Sequence, residues 1–342
     1  MTIKDIAREA GVSTATVSRA LNSPELVSEK KRKAIEAIVE KYGYTLNAAA
    51  REMVTRRTHL IGVVVPDITN TYVATALDSF AAALGGYGYS MFISVSNMKA
   101  ELELDYLDNL KSKRVEAVVL PGNRLLSPEH DRLLAEKLKG TPILRIGNTN
   151  CEEFYCADPD EEQGAFQAIE YLIGLGHTRI AFLNGSVTVD SFFHKQQGVE
   201  RAMKKHGIPI RPEYMPQVDT GNYGYDSYHT TVELLRLSQR PTAIFTAGDQ
   251  FALGIYKAAS VLGYQIPSDL SVVGFSGSPL SESIYPALTT ISQYAHETGK
   301  QAARYLMEIL EGEEETPRRI QLRAELVVRD SCAVPAAEKE ER

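Results

Sequence analysis

From Leu60 onward, short apolar runs alternate with longer amphipathic stretches. The runs are, in order, LIGVVVP, SMFISVS, AVVLPG, PILRIG, RIAFLNG, AIFTAGD and LSVVGF. Helical periodicity between them predicts helices over 71–88, 99–113, 127–139, 192–206, 223–237 and 249–262. Nearly continuous apolar runs of this kind are typical of parallel strands covered on both faces by helices. The sequence therefore predicts two parallel α/β lobes, which would bind a ligand in the crevice at the carboxyl ends of their strands.

Residues 1–46 have a different pattern, in which three short segments carry apolar residues at helical spacing. The first segment begins at Ile3 and ends at Gly11, and Ser13 is placed to cap the second. The third segment ends at Gly43. Two short helices joined by a tight glycine turn and followed by a third helix predict a small all-α helix-turn-helix unit.

The second of these helices carries small and hydroxyl side chains on the face opposite Val17 and Leu21. A helix fits the major groove of DNA, where small side chains let the backbone approach the bases and hydroxyl groups reach phosphates. Arg19 can donate two hydrogen bonds to a guanine. The predicted DNA-binding residues of this unit are Ser13, Thr14, Ala15, Thr16, Ser18, Arg19 and Asn22. The alternative, a helical bundle without a DNA partner, does not require so many exposed hydroxyl groups.

The charge of the chain is unevenly distributed. Residues 1–59 contain eleven basic and seven acidic residues, a balance of +4, whereas the rest of the chain holds 26 basic and 37 acidic residues. A small basic unit attached to an acidic body indicates that only the basic unit meets a polyanion. On charge alone, a solvated surface explains the same balance equally well.

Several patterns that would indicate other classes of protein do not occur. No apolar run approaches the roughly 18 residues of a membrane span, and the polar N-terminus does not resemble a signal peptide. We therefore expect a cytoplasmic protein without membrane contact. The three cysteines form no CxxC pair, the seven histidines are scattered, and GxGxxG, GxxxxGK[ST] and GxSxG are absent. We expect no enzymatic activity, no metal and no cofactor.

The segment TIKDIAREAGVSTATVSRALN resembles the signature of the lactose/galactose-repressor (LacI/GalR) family of bacterial transcription regulators. Further similar segments follow in order along the chain: YGYTLNAAAREM, GHTRIAFLNG, RPTAIFTAGDQFALG, LSVVGF, PALTTI and LVVRDS. The resemblance implies a type I periplasmic-binding-protein-like core, with parallel sheets and three crossovers between its lobes. It also implies a homodimer that binds a pseudopalindromic operator in double-stranded DNA.

The same resemblance implies a domain organisation. The expected parts are a helix-turn-helix domain at 1–46, a hinge helix and linker at 47–59, and an effector-binding and dimerisation core at 60–342. Within the core, the first lobe is expected at about 60–160. A later segment near 293–318, called the late return, is expected to come back and complete this lobe. The second lobe is expected at about 161–292 together with 319–331.

The hinge of the family, Asn-x-x-Ala-Arg-x-Leu, is similar to residues 47–53 of this chain. In the family, this segment becomes helical on operator DNA and wedges its leucine into the minor groove. The residues that correspond are Asn47, Ala50, Arg51 and Met53, with methionine in place of the leucine. Methionine is apolar and adaptable enough to separate base steps. An ordinary linker, the alternative, would be expected to contain more Pro, Gly and Ser than this segment does.

The resemblance also assigns candidate effector-binding residues to the crevice. Where sugar-responsive members carry an Arg and an Asp that hold ligand hydroxyl groups, this chain has Lys195 and Ser276. These departures weaken a sugar ligand, and Lys195 suits a single anionic group. The full candidate set is Tyr72, Asn97, Asn123, Asn148, Ser191, Lys195, Tyr223, Asp249, Ser276 and Gln293.

The sequence thus predicts a DNA-binding transcriptional regulator, a repressor, whose operator affinity is controlled by a small-molecule effector such as a carbohydrate or related metabolite. One alternative is a regulator controlled by a protein corepressor that docks on the core. A solute-binding protein would share the two lobes, but it would have no use for residues 1–59. A crevice enzyme would need catalytic groups that the motifs do not supply.

Overall fold

The computed structural model describes residues 2–22, 24–43, 57–149, 151–219, 223–312 and 316–336. The chain divides into two compact units, Met1–Thr58 and His59–Arg342. The predicted hinge residues lie outside the described residues: Asn47, Ala50, Arg51 and Met53.

The first unit contains three helices around a small apolar core. They are α1 (Ile3–Glu9), α2 (Thr14–Asn22) and α3 (Glu29–Tyr42). Thr2 and Asp5 form a reciprocal capping box that starts α1, and this pairing satisfies backbone N–H groups that the helix leaves free. Ile6, Val17 and Ile35, one from each helix, are fully buried against one another. This core fixes which face of α2 remains at the surface.

The second unit consists of two α/β lobes. Its helices are α4 (Thr71–Gly86), α5 (Ala100–Ser112), α6 (Pro128–Lys137), α7 (Glu161–Gly174), α8 (Asp190–Lys205), α9 (Tyr223–Leu235), α10 (Ala252–Leu262), α11 (Pro279–Ser283) and α12 (Ala295–Glu311). Its strands are β1 (Leu60–Val65), β2 (Ser90–Val95), β3 (Ala117–Pro121), β4 (Ile143–Ile146), β5 (Tyr155–Asp158), β6 (Ile180–Leu183), β7 (Ala243–Thr246), β8 (Ser271–Ser276), β9 (Thr289–Ser292), β10 (Arg319–Gln321) and β11 (Glu325–Val327).

Each lobe is built on one sheet. The strand order is β10-β5-β4-β3-β1-β2 in the first lobe and β11-β9-β8-β7-β6 in the second. Neighbouring strands pair in parallel, apart from β11, which is antiparallel to β9. The chain passes between the two sheets after β5, after β9 and after β10, so three crossovers connect the lobes. The architecture is the two-lobed α/β core expected from the sequence.

Three details differ from the sequence-based expectations. Strand β5 and helix α7 were not predicted, because the run YCAD is short and is followed by a proline and then by three consecutive acidic residues, 160–162. The late return to the first lobe extends beyond 318, since β10 pairs with β5 in the first sheet. The helix expected from 249 begins instead as a 3-10 turn, and α10 starts at Ala252.

Close helix packing holds the late return against the first lobe. Helix α12 packs on α4 at Gly299, where an added Cβ would lie 2.1 Å from the carbonyl oxygen of Ala76. Only glycine fits at so short a distance. The return is thereby anchored, and the segment before it brings Gln293 to the edge where the two lobes face each other.

Candidate DNA-contacting helix and interlobe cleft

Helix α2 presents the surface that the sequence assigned to DNA. The hydroxyl of Ser13 accepts a hydrogen bond from the backbone N–H of Thr16 (3.1 Å) and so caps the helix. Thr14, Ala15 and Arg19 are exposed. Thr16 and Ser18 are partly exposed, and Asn22 is the last residue of the helix. The predicted contact residues whose side chains are described therefore lie at the surface of α2 or at its cap.

A cleft lies between the two lobes, at the carboxyl ends of their parallel strands. Its cavity volume is about 60 Å³, room for about two water molecules at the volume each occupies in the liquid. Eight of the ten predicted effector residues line it: Tyr72, Asn123, Ser191, Lys195, Tyr223, Asp249, Ser276 and Gln293. The aromatic rings of Phe192, Phe251 and Phe275, which were not predicted, also contribute to its walls.

The remaining two candidates lie in neighbouring cavities. Asn97 lines a cavity of about 220 Å³ that shares Asn123 and Tyr223 with the cleft. Asn148 lines a separate cavity of about 300 Å³, to which Arg145 of the first lobe and Asp190 of the second lobe also contribute. The structure thus brings most of the candidate set together and separates Asn148 from it.

Lys195 is held inside the second lobe by a buried carboxylate. Its ammonium group lies 3.0 Å from Oε1 of Glu161, the first residue of α7, and only 3% of the residue is exposed. The hydroxyl of Ser191 donates to the same carboxylate. The ammonium group also lies 4.4 Å from the centre of the Phe275 ring. A positive charge is therefore present in the cleft, and it is paired within its own lobe.

A second cation, Arg145 on β4, enters the cleft from the first lobe. The residue is 1% exposed, and its Nη1 donates to the carbonyl oxygen of Leu120 (2.7 Å). Its Nη2 forms an ion pair with the carboxylate of Asp190, the first residue of α8 in the opposite lobe. Among the described residues, this is the ion pair that joins the two lobes across the cleft. Sequence reasoning missed both residues.

Backbone hydrogen bonds reinforce the same junction. The N–H of Arg124 donates to Oδ1 of Asp190 (2.9 Å), and the N–H of Asp190 donates to the carbonyl oxygen of Arg124 (2.9 Å). The N–H of Leu126 donates to the carbonyl oxygen of Thr188 (2.7 Å). The first residues of α8 are thereby attached to the loop that follows β3.

Gly147 makes room for the guanidinium group of Arg145. Its φ of +141° lies in a region that side-chain-bearing residues rarely adopt, and an added Cβ would lie 2.7 Å from Nη2 of Arg145. The sequence signal was an arginine inside the apolar run PILRIG, followed by a glycine at the strand end.

Asp249 uses its carboxylate within the second lobe. It accepts hydrogen bonds from the N–H of Ser278 (2.7 Å) and from the hydroxyl groups of Thr290 (2.6 Å) and Ser278 (2.9 Å). Burial raises the pKa of Asp249, while these hydrogen bonds oppose the shift. The same carboxylate accepts from Ser276, whose φ is +106°. Asp249 therefore positions the 276–278 loop at the edge of the cleft.

Two polar groups face the cleft from the first lobe and its late return. The amide nitrogen of Gln293 is buried without a hydrogen-bond partner among the described residues, and only 3% of the residue is exposed. An amide N–H₂ in that position lacks an acceptor. Burial raises the pKa of Tyr72 well above its usual range, so its hydroxyl is neutral near pH 7.

Other features of the described residues bear on the class of protein. They include no group of three or more His, Cys, Asp or Glu side chains placed to hold a metal ion. No helix in the described ranges is long and apolar enough to cross a membrane. Burial raises the pKa of Cys151, Cys156 and Cys332 to about 11, so these thiols are protonated near pH 7.

A helix-turn-helix unit in one chain with a two-lobed α/β core and an interlobe cleft defines the class of ligand-responsive DNA-binding regulators. Residues 2–47 match the profile of the lacI family of bacterial regulatory proteins, and residues 169–332 match a periplasmic binding protein-like domain. The chain belongs to the lacI family of bacterial regulatory proteins, and it is a transcriptional regulator.

Full-length relatives support this membership. Catabolite control protein A of Priestia megaterium is 34% identical over 335 residues, which cover 94% of this chain and 98% of the relative. The HTH-type transcriptional repressor PurR of Vibrio vulnificus is 33% identical over 333 residues, covering 96% and 98%. The second of these relatives is a transcriptional repressor by name.

Solved structures of similar proteins have the same fold. The lac repressor dimer bound to operator and the anti-inducer ONPF has a TM-score of 0.87 at 25% identity, covering 97% of this chain and 99% of that one. The transcriptional regulator CelR in complex with cellobiose has a TM-score of 0.71 at 26% identity, with coverage of 97% and 99%.

Proposed function

We propose that this regulator is a homodimeric repressor that binds a pseudopalindromic operator and whose operator affinity is set by a small molecule in the interlobe cleft. The observation that carries the proposal is the exposed face of α2, with Thr14, Ala15 and Arg19, in the same chain as a two-lobed cleft. The lac repressor, a structural relative, is a dimer bound to operator in its solved structure.

On the DNA side, α2 lies in the major groove. Arg19 contacts a base, and the hydroxyl groups of Ser13, Thr14, Thr16 and Ser18 reach phosphates or base edges. Ala15 allows close approach, and Asn22 completes the contact at the helix end. Residues 47–59 then act as the hinge, where Asn47, Ala50 and Arg51 support the insertion of Met53 into the minor groove. Two such units, one from each subunit, read the two half-sites.

On the effector side, the lobes adopt two arrangements, and the residues around the cleft bind the effector more tightly in one arrangement than in the other. A ligand that binds one arrangement better than the other shifts their equilibrium, and the shift changes the spacing of the two hinges. A coupling of about 1 to 3 kcal/mol, or 5- to 150-fold in affinity, is sufficient for regulation. The protein acts by binding rather than by catalysis, and it works in the cytoplasm, where bacterial DNA is.

The readout by Arg19 provides the test of this function. In Arg19→Ala, we expect the preference at one operator position to be lost, at a cost of about 1 to 3 kcal/mol in specific binding. The matched control is Arg19→Lys, which keeps the positive charge but lacks the planar fork of donors. Operator selection followed by fluorescence anisotropy measures both quantities. Equal binding-site profiles for the wild type and Arg19→Ala would remove Arg19 from base readout.

A further inference from the structure

The cleft of this chain already contains two buried cations, and each is balanced by a carboxylate of the protein. Arg145 pairs with Asp190 across the lobes, and Lys195 pairs with Glu161 within the second lobe. All four side chains belong to residues that are at most 9% exposed. Removing one partner of a buried ion pair leaves the other charge buried without a counterion, and this strongly destabilises the protein. A ligand that enters the cleft must therefore preserve this balance or replace one of the carboxylates.

The two pairs differ in how readily a ligand can replace the carboxylate. Glu161 also accepts from Ser191 and stays with Lys195 when the second lobe moves, since all three residues belong to that lobe. Asp190 reaches Arg145 only while the lobes are together. The guanidinium itself remains fixed in the first lobe by its bond to Leu120 and by the space at Gly147. When the lobes part, Arg145 is left as a preorganised donor group without an anion.

The size of the cleft indicates when such an exchange takes place. A cavity of about 60 Å³ is well below the roughly 300 Å³ at which small-molecule pockets begin. A metabolite that occupies the space between Arg145 and Lys195 therefore enters only when the lobes separate, and their separation removes Asp190 from Arg145. The unpartnered amide nitrogen of Gln293, which also lines the cleft, offers a second donor to the oxygen atoms of an incoming ligand.

We propose that the cleft recognises a small molecule with an oxyanion group, a carboxylate or a phosphate, which binds Arg145 in place of Asp190 and holds the lobes apart. This inference rests on the proposed function for its regulatory meaning, but the binding step stands by itself. No covalent change is involved: one anion exchanges for another on the same guanidinium. Arginine suits this exchange because its fork of donors matches carboxylate and phosphate alike.

The test measures thermal stabilisation of the full-length protein by inorganic phosphate and by citrate, with sodium chloride at matched ionic strength and neutral glucose as comparisons. Phosphate or citrate is expected to raise the melting temperature of the wild type. In Asp190→Asn the competing carboxylate is gone, and the apparent affinity for the anion should rise about tenfold or more. In Arg145→Met the anion effect should disappear. Stabilisation by phosphate alone identifies a phosphate group, and stabilisation by citrate alone identifies a carboxylate.

The variants include controls for folding. Arg145→Met/Asp190→Asn removes both charges together, so it keeps the interior neutral and should fold without responding to either anion. Arg236→Met changes an exposed arginine and should respond as the wild type does. The inference is overturned if chloride matches phosphate and citrate in the wild type and in Asp190→Asn, or if Arg145→Met keeps the response.

Failure of this inference and failure of the proposed function give different results. A protein that binds a selected operator but responds only to neutral molecules would retain its function and lose the oxyanion site. A protein whose Asp190→Asn variant binds phosphate more tightly, but which selects no DNA sequence, would retain the site and lose the proposed function.

Discussion

Replacing Arg145 with methionine is expected to lower the free energy of unfolding by about 3 to 5 kcal/mol, because the change leaves the carboxylate of Asp190 buried without its counterion. Asp190 is 5% exposed, so bulk solvent does not compensate its charge as it would at the surface. Methionine has a similar length and fills the slot beside Gly147, which separates the loss of charge from a loss of volume. Urea unfolding monitored by circular dichroism at pH 7 measures the difference.

The double variant Arg145→Met/Asp190→Asn shows whether the two residues act together. Asparagine keeps an oxygen that accepts from the N–H of Arg124 but carries no charge. We expect it to recover a coupling energy of about 0.5 to 3 kcal/mol relative to the sum of the single changes. Arg236→Met, on the surface, should stay within about 0.5 kcal/mol of the wild type. If the losses of unfolding free energy in the two single variants add up to the loss in the double variant, the interaction between Arg145 and Asp190 does not contribute to stability.

Replacing Glu103 with glutamine is expected to remove about 3 kcal/mol of stability at neutral pH and to flatten the acid side of the stability curve. Burial alone would raise the pKa of Glu103, but the hydrogen bond from His130 and the charge of Arg124 outweigh it and hold the pKa at about 2. Arg124 lies 2.9 Å from Oε2 of Glu103 and 2.8 Å from Oδ1 of Asp131. This cluster fixes the loop that attaches to Asp190.

The sign of the pH dependence follows from the lowered pKa. The ordinary value is 4.5, so the stabilisation by Glu103 is complete above that pH and is lost as the pH falls toward 2. The difference in unfolding free energy between wild type and Glu103→Gln should therefore shrink as the pH is lowered through this range. Glu101→Gln, an exposed change on the same helix, should show no such trend. A constant difference between wild type and Glu103→Gln would contradict the lowered pKa.

Much of the fold could be predicted because the apolar pattern of many segments agrees with their burial in the folded protein. The apolar run LIGVVVP is buried along almost its whole length in β1, and the spacing of Ile6, Val17 and Ile35 places them in one core. Strand β5 was missed because four residues carry too little pattern to separate a strand from a loop. Its place in the sheet depends on pairing with β10, more than 150 residues later in the chain.

The cleft was predictable only in part. Side chains that follow strand ends, such as Tyr72, Ser276 and Gln293, could be placed there because parallel strands end at one edge. Arg145 could not, because an arginine inside an apolar run gives no indication of its partner. That partner, Asp190, lies 45 residues away in the other lobe. The hydrogen bonds of Asp249 likewise depend on Thr290 and Ser278, which only the folded lobe brings together.

Selection of binding sites from random double-stranded DNA by the full-length protein tests directly whether this regulator recognises a specific operator. We expect an enriched pseudopalindromic motif with two half-sites, whose recovery changes when a ligand of the cleft is added. Retention of random DNA without any enriched motif, with and without phosphate, citrate or sugars, would contradict this expectation.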